Sequence, residues 1–200
     1  MLRWLKTLAD TLWLSLWRPR TPRAPTADQL VVQPWGPAWC GPAVAVTLER
    51  ILTGRPGDLA AAKAALLGTF PGGQTSVEAL AAWLRAHGMH AAMMLAPIGG
   101  GLFESVRQAV QGGSYCAVLI FTNGSREPDA SGSPPTHFVI CYGVDGARLL
   151  FVDSLDRGAV IGGHFWSVER RALADRWAAQ VGRFGPVEFT PFVVVRRVDA

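Results

Sequence analysis

The dipeptide Asp145-Gly146 separates two apolar runs, His137–Val144 and Arg148–Asp153. It is the tightest constraint on what the chain can fold into. Asp-Gly supplies the backbone freedom of a two-residue hairpin loop, and the flanking runs suit paired antiparallel strands. With Asp145 and Gly146 as the loop residues, Val144 pairs with Ala147, and Phe138 lies opposite Asp153. His137 and Asp153 are then predicted to be neighbours at the open end of the hairpin.

The rest of the chain sorts around this hairpin. Tyr115–Thr122 and Val187–Arg197 are further apolar runs rich in β-branched residues, and Met89–Leu95 is a shorter one. The first half reads as helices. Cys40–Leu52 ends at Gly54. Asp58 caps Leu59–Leu67, closed by Gly68. Thr75-Ser76-Val77-Glu78 has the spacing of a capping box for Val77–His87, closed by Gly88. Leu102–Gln111 follows, and Ser167 is expected to open a late helix to about Ala179. Helices first and an antiparallel sheet afterwards make the class α+β.

Residues 1–18 stand apart. Leu2, Leu5, Leu8, Ala9, Leu12, Trp13 and Leu16 fall on one helical face, and Arg3, Lys6, Asp10 and Arg18 on the other. This amphipathic helix has three open readings: it lies on a membrane surface, docks on a partner protein, or packs on its own domain. The chain is expected to be cytoplasmic or peripheral at a membrane surface. Pro19, Pro22 and Pro25 make residues 19–28 a linker. The domain proper is expected over residues 29–200, a length that buries a substantial core.

The net charge is +4, and five of the 19 Lys and Arg residues lie in the first 23 positions. The remainder is nearly neutral, which argues against nucleic acid as a partner. The three cysteines, Cys40, Cys116 and Cys141, include no C-x-x-C pair. No metal or other cofactor is therefore expected. Cys116 and Cys141 read as buried strand residues.

Cys40 differs from them in setting. It lies in Gln33-Pro34-Trp35-Gly36-Pro37-Ala38-Trp39-Cys40-Gly41-Pro42-Ala43, where a helix-resisting stretch gives way to a helix. Unpaired backbone N–H groups and the helix dipole at that position favour a thiolate. His137 sits at the loop-proximal end of its strand, where it can accept the thiol proton and return it. Asp153 can orient the imidazole. Gln33 is close enough in sequence for its amide to join the Cys40 backbone N–H around an oxyanion.

Gln33, Trp39-Cys40-Gly41-Pro42-Ala43, Thr136-His137-Phe138-Val139 and Val152-Asp153, in that order, resemble the papain-like cysteine peptidases. The similarity is to the C39-like branch, relatives of the peptidases that process bacteriocin leaders. It spans roughly residues 29–197. The resemblance implies a papain-like fold, with the nucleophile helix packed on a C-terminal antiparallel sheet. It implies Cys40 as nucleophile, His137 as base, Asp153 as orienting residue and Gln33 as oxyanion donor. Two features depart from the branch. Six residues separate Gln33 from Cys40, one more than its commonest spacing. Ser154 follows Asp153 where the branch often has proline. The function expected is a thiol hydrolase that cuts a peptide or isopeptide bond in a peptide or protein through an acyl-enzyme on Cys40. An acyltransferase of the transglutaminase kind, or a non-catalytic binding module held by its N-terminal helix, fits the same residues.

Overall fold

The computed structural model describes residues 22–34, 39–69, 73–97, 100–121, 136–155, 164–169 and 189–198. The amphipathic stretch 1–18, the loop 122–135 and residues 170–188 lie outside them. Four helices are described: α1 (Cys40–Thr53), α2 (Leu59–Leu66), α3 (Val77–Ala86) and α4 (Gly100–Gln111). Six strands join them: β1 (Met89–Pro97), β2 (Tyr115–Phe121), β3 (Thr136–Asp145), β4 (Arg148–Val152), β5 (Phe165–Glu169) and β6 (Phe189–Arg197). They form one sheet in the order β1-β6-β2-β3-β4-β5, antiparallel at every pairing. The class is α+β, as expected.

The sheet is covered on both faces. Phe138 and Ile140 of β3 join Val44, Leu48, Leu80 and Leu84 in one core, with Leu119 of β2. Val139 and Cys141 join Leu102, Val106, Val110 and Phe151 in the other. Successive strand residues point to opposite faces, so a strand covered on both sides is apolar throughout. That is why β3 reads as an uninterrupted apolar run. Removing apolar surface from water contributes about 1.5–3 kcal/mol for each fully buried side chain of this size. This anchors the strand whose first residues carry His137.

Helix ends follow the local chemistry. Asp58 accepts from the backbone N–H groups of Ala60 and Ala61 at 2.9 and 3.0 Å. Gly54 closes α1 at φ 73°, a left-handed conformation that glycine adopts without strain. At α3 the cap is Ser76, which accepts from the Ala79 N–H at 3.0 Å. The capping box predicted from Thr75 does not form, because Thr75 is buried against the start of α1.

Two other expectations are corrected. Phe165–Glu169 is a strand along β4, with Ser167 level with Leu150, so no helix opens at Ser167. The free edge of β4 offers ladder hydrogen bonds to a segment containing Phe165, Trp166 and Val168, residue types that favour strands, and this outweighs the capping signal. The hairpin loop is Gly146-Ala147, not Asp145-Gly146: Asp145 pairs with Arg148, and Gly146 takes φ 56°. A register shift between Cys141 and Gly143 then sets Ile140 opposite Val152. Asp153 follows level with Val139, not Phe138. That puts it two residues from His137 on the same strand face.

Pro22–Asp28 runs along the domain, with Pro25 buried and the Arg23 carbonyl accepting from the Tyr115 hydroxyl at 2.8 Å.

Candidate active site

Cys40 is the first residue of α1, and the helix's first backbone bond runs from the Ala43 N–H to the Trp39 carbonyl at 2.9 Å. The thiol is half-buried, whereas Cys116 and Cys141 are fully enclosed in the sheet. Lys63 of α2 lies 3.8 Å from the centre of the Trp39 ring, which pins the residue before the cysteine. Gly41 permits a close approach from the other side. A Cβ there would stand 2.3 Å from Thr75 Oγ1, a buried atom with no hydrogen-bond partner. Gly41→Ala is therefore expected to destabilise the protein by about 1–3 kcal/mol through overpacking, despite alanine's better helix propensity. Urea unfolding checks this; a midpoint at or above wild type would contradict it.

His137 is 2% exposed and Asp153 1%. The imidazole Nε2 and Asp153 Oδ1 are 2.5 Å apart. The same carboxylate oxygen accepts from the Leu155 N–H at 2.8 Å. The Asp153 backbone is held in turn: its N–H donates to the His164 carbonyl at 2.8 Å. Its carbonyl meets His164 Nδ1 at 2.8 Å. With Nε2 committed to Asp153, Nδ1 is the ring nitrogen left for Cys40.

The electrostatics set Cys40 apart from the other thiols. Burial pushes the Cys40 thiol up. The His137 hydrogen bond and charge, with the backbone N–H groups of Phe138 and Gly41, outweigh that and hold it below the usual thiol value. Burial pulls His137 down, but its hydrogen bonds to Asp153 and Cys40, with their charges, raise it to about 9. The two groups thus shift each other toward thiolate and imidazolium. Burial drives Cys116 well above the ordinary value and Cys141 to about 12.

Gln33, in the segment before α1, lies against the turn that follows Asp153. Its backbone N–H donates to the Ser154 carbonyl at 3.0 Å, and the Ser154 hydroxyl donates to Gln33 Oε1 at 3.0 Å. Thr136, just before His137, donates to Gln74 Oε1 at 3.2 Å, which ties the start of β3 to the loop before α3. The sequence placed His137 beside Asp153 but named no partner for Ser154, His164 or Thr75. Only the departure from proline at Ser154 was a signal for any of these.

The other described histidines of the first half lie elsewhere. His87 is partly buried: it stacks on Trp83 and meets Glu49 Oε1 at 3.1 Å. His90 is exposed. Among the described residues no three His, Cys, Asp or Glu side chains are grouped to hold a metal ion, and no helix is long and apolar enough to cross a membrane. A groove of about 610 Å³ lies over β1, β6 and α4, lined by His90, Met94, Ser105, Phe192 and Arg196 among others. Gln33, Cys40, His137 and Asp153 do not line it.

No family model and no curated protein matches the chain. Solved structures do. One is a double glycine motif protease from an AMS/PCAT transporter, crystallised in complex with the leader peptide. It is 12% identical, with a TM-score of 0.53 over 90% of this chain and 94% of that one. Another, described as a putative C39-like peptidase from Bacillus anthracis, is 11% identical, with a TM-score of 0.54 over 85% of this chain and 95% of that one. The chain has the papain-like α+β fold of the C39-like and double-glycine-motif peptidases.

Proposed function

We propose that the chain is a cysteine peptidase that cleaves peptide bonds through an acyl-enzyme on Cys40. The observation that carries this reading is the continuous line from thiol to imidazole to carboxylate, with Cys40 held low and His137 raised to about 9. The Cys40 thiolate attacks the scissile carbonyl carbon, and the C–S bond forms as the electron pair moves to oxygen. The Cys40 backbone N–H has no helical acceptor at this first position, so it is available to that oxyanion, together with the Gln33 side-chain N–H. His137, protonated at Nδ1, gives its proton to the departing amine. The resulting thioester is hydrolysed by a water that neutral His137 deprotonates. Asp153 holds the ring and stabilises its positive charge throughout. That a protein of this fold crystallised with a leader peptide supports a peptide as the substrate class. Residues 29–200 form the peptidase domain in this reading, and residues 1–18 form a separate amphipathic segment.

The test is to incubate wild type and Cys40→Ala with a proteome-derived peptide library and read new termini by mass spectrometry. Cleavage by wild type alone supports the reading; identical digests overturn it.

The same assignment fixes the pH profile. The nucleophile must be deprotonated, so activity rises as pH passes the lowered Cys40 pKa. The leaving amine needs the imidazolium, so activity falls as pH passes about 9. A bell-shaped kcat/KM with its alkaline limb near that value is expected. A profile still rising above pH 10 would contradict the role of His137.

A further inference from the structure

We infer that Ser154 is a positioning residue that aims the Gln33 amide at the oxyanion. The inference rests on the oxyanion role given to Gln33 above and goes beyond it. Ser154 is 2% exposed. Its hydroxyl donates to Gln33 Oε1, and its carbonyl accepts from the Gln33 backbone N–H, both at 3.0 Å. The two bonds fix Gln33 at both ends of its side chain. With Oε1 occupied by a donor, the amide cannot turn its oxygen toward the reacting carbonyl without breaking that bond. The NH₂ group, the only part that can stabilise an anion, is left facing away from Ser154.

The neighbouring residue does the same for the other half of the site. Asp153 Oδ1 holds His137 and accepts from the Leu155 N–H. One three-residue turn, 153–155, thus orients both the imidazole and the oxyanion donor. A proline at 154, which the sequence departs from, has no hydroxyl and cannot act on a glutamine side chain. The six residues between Gln33 and Cys40 make this clamp more necessary, since a longer connection alone restrains the glutamine less.

Two reagents separate positioning from mere structure. p-Nitrophenyl acetate acylates a thiolate through a tetrahedral oxyanion: the C–S bond forms, then p-nitrophenolate leaves with its electron pair. Iodoacetamide alkylates the same sulfur by displacement of iodide, with no oxyanion. Burst acylation of Cys40 should slow about tenfold in Ser154→Ala and about 10²-fold in Gln33→Ala. The double variant should be no slower than Gln33→Ala alone, and Ser154→Thr should recover most of the burst. Alkylation of Cys40 by iodoacetamide should keep its wild-type rate in all four. The inference is overturned if Ser154→Ala acylates like wild type, if the two losses multiply, or if alkylation slows as much as acylation. If Gln33→Ala itself acylates like wild type, the oxyanion assignment fails and takes the inference with it. If wild type gives no burst that Cys40→Ala removes, the peptidase reading fails as well.

Discussion

Replacing His137 by alanine is expected to slow iodoacetamide alkylation of Cys40 at pH 7 by about 10²-fold or more, since each unit of thiol pKa is a factor of ten in thiolate. Burial alone pushes the Cys40 thiol up, and the imidazole is the largest influence that reverses it. Without it, burial is opposed only by the backbone N–H groups of Phe138 and Gly41, and the thiol rises. The same change leaves the Asp153 carboxylate buried beside a cavity. Breaking a buried pair in this way costs about 3–5 kcal/mol. Urea unfolding should therefore show a lower midpoint, and peptide mapping should show Cys40 labelled slowly. Rapid labelling of Cys40 in a folded His137→Ala protein would contradict the account.

Asp153→Asn carries the second large effect. The amide keeps an oxygen for the Leu155 N–H but removes the negative charge beside Nε2. The hydrogen bond that does most to raise His137 to about 9 is weakened, so its pKa falls. The resting pair loses imidazolium, and the ring is free to adopt the wrong tautomer. Peptide hydrolysis should fall by about 10²–10⁴-fold, the range set by losing a carboxylate that orients a catalytic imidazole. The alkaline limb of the pH profile should move below 9 at the same time. A limb still near 9, however slow the variant, would show that Asp153 does not govern the histidine.

Sequence and structure agree best where period and turn chemistry act together. Asp58 and Gly54 mark helix ends because their roles depend on a few adjacent backbone groups. The hairpin around Gly146 was legible as a hairpin, and it did bring His137 to Asp153. Its register was not: the loop lies one residue later, and the irregularity near Tyr142 shifts the pairing again. Bulges depend on how both strands pack, and an apolar run covered on two faces carries no alternation to reveal them. Ser167 shows the same limit, since a capping residue cannot announce that an open strand edge lies beside it. The partners of Thr75 and Ser154 were illegible for another reason. Each acts on a residue far away in the chain, Gly41 and Gln33, and short polar side chains in loops carry no pattern that names a distant partner.

The central claim is that His137 holds the Cys40 thiol below its ordinary pKa. The measurement is the rate of iodoacetamide modification at each cysteine of the full chain from pH 4 to 10, read by peptide mapping. The account predicts that Cys40 alone reacts in the folded protein, with a midpoint clearly below the ordinary thiol value of 9.0. A Cys40 midpoint at or above 9.0, or labelling spread equally over Cys40, Cys116 and Cys141, would contradict it.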